Sequence, residues 1–153
     1  AYNPGTDQLY VGSVEWCATF SLSEEVRFLP GQMYLGGTLR PDATYGGRVT
    51  GIDASDGSVR WSYESERPVV GALMTTSGDL VFVGELTGDL VVFHAETGDE
   101  LYRFHTGGPI GGGVVTYTVD GQQYVAVSSG DPSILNWRLG HTGSPTVLIF
   151  ALP

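Results

Sequence analysis

Gly51-Ile52-Asp53-Ala54-Ser55-Asp56-Gly57-Ser58-Val59-Arg60-Trp61 carries a small residue first, Asp third, Gly seventh and Trp eleventh. Each of these positions has a physical use. Gly57 turns the chain between two short strands, a task glycine performs without steric cost. Asp53 steadies that turn by accepting local hydrogen bonds. The Trp61 indole can stack on a neighbouring unit, and its N–H needs an acceptor once buried. Such a motif is structural, not catalytic. A second copy follows with Val92 first, His94 in place of Asp, Gly98 kept and Tyr102 in place of Trp. An aromatic ring at the eleventh place is expected to preserve the stacking.

The repeat extends outward from the motif. Asp56-Gly57-Ser58-Val59-Arg60-Trp61 precedes Thr97-Gly98-Asp99-Glu100-Leu101-Tyr102 by 41 positions, and Pro68 precedes Pro109 by the same interval. Leu80-Val81-Phe82-Val83-Gly84 corresponds to Tyr124-Val125-Ala126-Val127-Ser128, and Leu9-Tyr10-Val11-Gly12 is a third copy. These apolar runs are short, and Ser77-Gly78-Asp79, Thr87-Gly88-Asp89 and Thr97-Gly98-Asp99 punctuate them. That pattern reads as an antiparallel meander. No segment sustains a 3.6-residue period, so little helix is expected. A repeat of roughly 40–45 residues with four short strands is a propeller blade. The expected fold is all-β: a partial β-propeller of about three four-stranded antiparallel blades, in one domain over 1–153. The blades fall at roughly 1–67, 68–108 and 109–153, with a loop-rich insertion over 13–47. Three units cannot close a ring of about 4–8 blades. Their open faces want partners, either the remaining blades or further copies of the chain.

Composition narrows the function classes. Seventeen carboxylates stand against seven basic residues, for a formal charge of −10, and all seven are arginine. With no lysine, Schiff-base and P-loop chemistry are excluded. Nucleic acid is a poor partner for a surface this acidic. One cysteine, Cys17, cannot make an internal disulfide or a cysteine-based zinc cluster. No signal peptide is read at the start, and no apolar run is long enough to span a membrane.

Several stretches look like sites and read more plainly as structure. Gly107-Gly108-Pro109-Ile110-Gly111-Gly112-Gly113 is glycine-rich, but no helix follows to complete a phosphate cradle. Asp53-Ala54-Ser55-Asp56-Gly57 lacks the terminal Glu of a calcium loop. His94-Ala95-Glu96 lacks the cysteine pair of a deaminase. His94, His105 and His141 lack metal-ligand spacing and read as turn or surface residues. Cys17 reads as a structural thiol, and Glu24-Glu25 as a solvated loop.

The eleven-residue motif resembles the tryptophan-docking motif of the quinoprotein alcohol dehydrogenases, which use pyrroloquinoline quinone (PQQ). Other stretches resemble the same family in the same order. They are Glu15-Trp16-Cys17, Pro30-Gly31-Gln32-Met33-Tyr34-Leu35-Gly36-Gly37, Thr75-Thr76-Ser77-Gly78-Asp79-Leu80-Val81-Phe82-Val83-Gly84, and Asp120-Gly121-Gln122-Gln123-Tyr124-Val125-Ala126-Val127. The tail over 145–153 reads as a last strand. The resemblance implies the C-terminal blades of a periplasmic enzyme that holds PQQ on a calcium or lanthanide ion and passes electrons to cytochrome c. The catalytic base and metal ligands come from other blades, so catalytic and metal residues here are none. The resemblance assigns cofactor contact to Glu15, Trp16, Val70 and Gly71, as one wall of the quinone pocket. Glu15 replaces the family's asparagine, and Val70 stands where relatives can have an indole. A carboxylate beside an anionic quinone is repulsive unless an arginine or metal intervenes. The alternative is a cofactor-free propeller that serves as a scaffold or protein-binding module.

Overall fold

The computed structural model describes residues 1–25, 28, 30–31, 34–130, 140 and 143–151. Expectations placed on Gln32, Met33, His141, Leu152 and Pro153 lie outside these residues. Thirteen strands are described and no helix. In chain order, β1 (Tyr2–Asn3), β2 (Gln8–Glu15), β5 (Gly46–Asp53) and β6 (Val59–Ser65) form the first sheet, in that order across it. The second sheet is β7 (Leu73–Thr75), β8 (Leu80–Gly84), β9 (Asp89–His94) and β10 (Glu100–His105). The third, with three described strands, is β11 (Val114–Val119), β12 (Gln122–Ser129) and β13 (Thr146–Ala151). Every pairing is antiparallel, and the strands of each sheet follow one another in chain order, with β2 meeting β5 across the 13–47 segment; the fold is a partial β-propeller.

The segment over 13–47 is entered by β2 and left by β5. Between them, β3 (Ala18–Leu22) and β4 (Gly37–Pro41) pair as a hairpin with both faces largely exposed. The first hairpin turn of each sheet holds an aspartate in left-handed backbone: Asp7 (φ 50°), Asp79 (φ 57°) and Asp120 (φ 50°). Aspartate tolerates that region better than most residues.

Two joints hold the sheets together. Alternation turns Val49 of β5 and Tyr10 of β2 inward against Val81, Val83, Val91 and Phe93 of the second sheet. The opposite face of the second sheet carries Leu90, Met74 and Phe82 against Val114, Val125, Val127 and Phe150. The four middle residues of β9, from Leu90 to Phe93, are therefore buried on both faces. Each such side chain contributes roughly 1.5–3 kcal/mol.

The sheet-to-sheet connections repeat as well. Val69 N–H donates to Ser13 O at 3.2 Å, and 41 residues on, Ile110 N–H donates to Glu85 O at 3.0 Å. Both bonds carry the chain from one sheet's outer edge back towards the next sheet's inner strand.

Candidate functional site

Glu15 ends β2 opposite Gly46, and Arg48 lies two residues further along β5. This register lets the guanidinium reach back. Arg48 Nε donates to Glu15 Oε1 at 2.8 Å, Nη2 to Glu64 at 3.2 Å and Nη1 to Ser62 at 3.3 Å. Hydrogen bonding to Glu15, with its charge, pushes the Arg48 pKa further up. All three charged groups are solvent-exposed, so each pair adds little stability. Arg48 is shared between Glu15 and Glu64, so it offsets the Glu15 charge in part and the triad keeps one net negative charge.

Trp16 follows and is half-buried. Its indole Nε1 donates to Asp42 O at 2.8 Å, and its ring lies 5.4 Å from that of Tyr45. Tyr45 in turn accepts from Arg67 at 2.8 Å, with the guanidinium 5.3 Å from its ring centre. Glu15 and Trp16 thus sit among Tyr45, Arg48 and Arg67 at one end of the first sheet.

Val70 and Gly71 belong to the link between β6 and β7. The Val69–Ser13 bond brings this link to the end of β2 that leads to Glu15. Among the described residues no hydrogen bond joins Val70 or Gly71 to Glu15 or Trp16. Gly71 comes so close to the third sheet's entry that a Cβ there would lie 3.0 Å from Gly111 O. The next residue, Ala72, is buried with φ of 51°. That conformation costs an L-residue about 1–2 kcal/mol, so the surroundings dictate the path of this link.

The docking motif is laid out as follows. Asp53 Oδ1 accepts from Ser55 N–H at 2.9 Å and from the Ser55 hydroxyl, while Oδ2 pairs with Arg60. Those bonds, Ser55 first and Arg60 next, hold its carboxyl well below the usual range. Gly57 takes φ of 75°. Trp61 is 8% exposed; its Nε1 donates to Ala95 O at 2.8 Å, and its ring lies 5.7 Å from Tyr10 and 5.9 Å from Phe93. A Cβ at Gly51 would lie 2.5 Å from Nε1, and one at Gly98 2.5 Å from the ring. Glycine is needed on both sides of the indole.

The second copy departs from expectation. His94 is half-buried at the end of β9, with Gly98 at φ of 75° four residues on. Tyr102, however, is 50% exposed rather than docked. Its cross-strand partner also differs. Gly51 faces Trp61, but Val92 faces Tyr102, and a branched side chain stands where the glycine leaves room.

One cluster escaped the sequence reading. Glu85 is 2% exposed and accepts from Tyr63 O–H at 3.1 Å and from Arg103 at 3.0 Å. Arg103 also reaches Asp89 at 3.1 Å and Glu100 at 2.7 Å, and His105 lies 2.7 Å from Asp89. The only sequence signal was Arg103 three residues after Glu100. The other partners are set by register. This network ties the first sheet to the second.

Among the described residues no three His, Cys, Asp or Glu side chains come together as metal ligands. No helix among them is long and apolar enough to cross a membrane. Repeated antiparallel sheets joined by a docked indole define a partial β-propeller array. A sequence model described as outer membrane protein assembly factor BamB matches residues 12–145. The quinoprotein alcohol dehydrogenase PedH of Pseudomonas putida is 38% identical over 133 residues, 85% of this chain and 22% of that protein. The lanthanide-dependent methanol dehydrogenase of Methylorubrum extorquens is 37% identical over 135 residues, with the same shares. The crystal structure of the quinohemoprotein alcohol dehydrogenase from Comamonas testosteroni superposes with a TM-score of 0.85 at 28% identity, over 99% of this chain and 25% of that one. The chain belongs to the PQQ-repeat family matched by that model, and it is similar to the quinoprotein alcohol dehydrogenases in sequence and in structure. It spans 22% of the length of these two curated relatives.

Proposed function

We propose that this chain supplies three blades, the C-terminal ones, to a PQQ-dependent alcohol dehydrogenase and forms one wall of its quinone pocket without catalysing alone. The observation that carries the reading is the Glu15–Arg48 pair. It reduces the repulsion a bare carboxylate would offer an anionic quinone. Trp16 would lend its ring, and Val70 and Gly71 their backbone. When bound, PQQ supplies an electron-accepting quinone whose carbonyl a calcium or lanthanide ion polarises. This chain's own contribution is to shape the wall and to set a guanidinium against the Glu15 carboxylate. The catalytic base and metal ligands belong to other blades, which are its partners. The acceptor of the electrons is cytochrome c, and the compartment is the periplasm.

A titration of the full 153-residue chain with PQQ and calcium tests this, read by Trp fluorescence and dye-linked alcohol oxidation. The expected result is no dye reduction and only shallow, non-saturating quenching. Saturable, calcium-dependent quenching with turnover would overturn it. A second reading, a cofactor-free scaffold, is favoured by the description of the matching model and by Val70 in place of an indole. It predicts that Arg48→Ala, in the polypeptide carrying all blades, leaves PQQ affinity unchanged.

A further inference from the structure

Arg67 is half-buried, and among the described residues no carboxylate pairs with it. Of the other described arginines, Arg48, Arg60 and Arg103 are each ion-paired, and Arg40 is exposed on β4. Arg67 has a phenol instead. Its Nη1 donates to the Tyr45 hydroxyl, and the guanidinium lies against that ring. Among the described residues nothing accepts from Nε or Nη2. Glu64 is bonded to Arg48, and Glu66, next in the chain, is exposed. The backbone fixes where the side chain starts. Arg67 N–H donates to Ser65 Oγ at 3.4 Å, and the link crosses β5 at Gly47, where a Cβ would lie 2.6 Å from Val69 N and 2.9 Å from Pro68 Cα. The link itself does not need an arginine. In the repeat 41 residues on, Gly108 stands in the place of Arg67 and Gly88 in that of Gly47, and a Cβ at Gly88 would lie 3.0 Å from Gly108 O. The second link makes the same close crossing with no side chain at that position.

We propose that Arg67 binds the carboxylate of an anionic ligand at the rim of the pocket wall, three residues before Val70. Nε and Nη2 form one edge of the guanidinium, two parallel N–H groups at the spacing of the two carboxylate oxygens. Half-burial strengthens such a pair relative to one in open water. Arg48 cannot do this work, because Glu15 and Glu64 already take its charge. Recognition of an anion at this end of the first sheet therefore falls to Arg67. The carboxylate has two possible sources, the quinone cofactor or an alcohol substrate that carries an acid group. The inference rests on the pocket-wall reading only for that source.

Benzoate is the probe and benzamide its neutral counterpart, each added to the full 153-residue chain and followed by NMR at the Arg67 Nε–H and the Tyr45 ring. The expected result is a saturable, one-to-one shift of both signals by benzoate, with a Kd of about a millimolar, and none by benzamide. Arg67→Gln weakens binding about tenfold or more, read at Tyr45. Arg67→Lys keeps the charge without the fork, retains part of the affinity, and guards against a folding failure of the first variant. No saturable shift, equal shifts by benzamide, or unchanged affinity in the Arg67→Gln chain would overturn the proposal. This arm uses no quinone, so it stands or falls apart from the quinone reading. The polypeptide carrying all blades then identifies the source. If the carboxylate is the quinone's, Arg67→Gln raises the Kd for PQQ about tenfold. If it is the substrate's, PQQ affinity holds and kcat/KM falls about tenfold for a hydroxy acid but not for a neutral alcohol. Neither change would overturn the assignment of Arg67.

Discussion

Replacing Gly51 by valine should turn the first joint into a copy of the second. A Cβ at residue 51 falls 2.5 Å from Trp61 Nε1 and 2.6 Å from Cε2, closer than any real contact. Two outcomes bound the cost. If the ring stays, overpacking costs about 1–3 kcal/mol. If it is expelled, the joint loses most of what a Trp→Ala truncation would remove, about 3–5 kcal/mol, together with the Ala95 hydrogen bond. We expect expulsion at about 3 kcal/mol, because glycine-tight backbone at Gly98 blocks the other side of the ring. For a chain of this size that is a fall of roughly 6–12 °C in Tm. Urea and thermal unfolding in a Trp16→Phe, Trp137→Phe background would report it, with the sole remaining Trp61 emission shifting to the red. Adding Trp61→Tyr should recover about half of the loss by recreating the Val92–Tyr102 pairing. A change below about 0.5 kcal/mol with unshifted emission would refute the reasoning that a small first residue makes room for the indole.

Arg103→Ala leaves the buried Glu85 carboxylate without its cation. The guanidinium is a third exposed, which moderates the cost to about 2 kcal/mol, measurable as a lowered urea midpoint. Ala72→Gly relieves left-handed backbone and should raise stability by up to about 1 kcal/mol, checked by the same unfolding curve. Acid should destabilise the fold through Asp53, Glu100 and Asp89. Their pKa values are lowered by Ser55 and Arg60 hydrogen bonds, by Arg103, and, against the opposing effect of burial, by His105 and Arg103. Folded values below the unfolded ones give stability that is complete above about pH 4 and lost as pH falls through the depressed values. Asp53→Asn should flatten the low-pH arm of a Tm-against-pH curve; an unchanged arm would show that this carboxylate is not linked to folding.

The strands of the second sheet were legible because glycine and aspartate bracket them. Gly88 takes φ of 100° and Asp79 φ of 57°, conformations that few other residues adopt without strain. The β3–β4 hairpin was not legible. Its two strands bury neither face, so they leave no alternation to read, and no two-residue turn joins them. At the candidate site, the pairing of Glu15 with Arg48 depends on residues 33 apart falling into register. Sequence could state the need for a counter-charge but not its source. Tyr102 misled for a related reason. Trp61 docks opposite a glycine, Gly51, whereas Tyr102 stands opposite the bulkier Val92 and is half exposed.

The Ala95 carbonyl receives both Tyr10 O–H at 3.1 Å and Trp61 N–H at 2.8 Å. A carbonyl oxygen has two lone pairs, so the first sheet saturates it. Among the described residues the second joint has no docked indole to make such a latch. In an array where each unit is steadied only by its neighbours, stability behaves as a one-dimensional chain of unequal couplings. The first two sheets then open together as one cooperative unit. The third, weakly coupled and with Val147 and Ile149 exposed on its β13 strand, opens on its own at lower free energy. Amide exchange in β12 and β13 should therefore outpace exchange in β8 and β9.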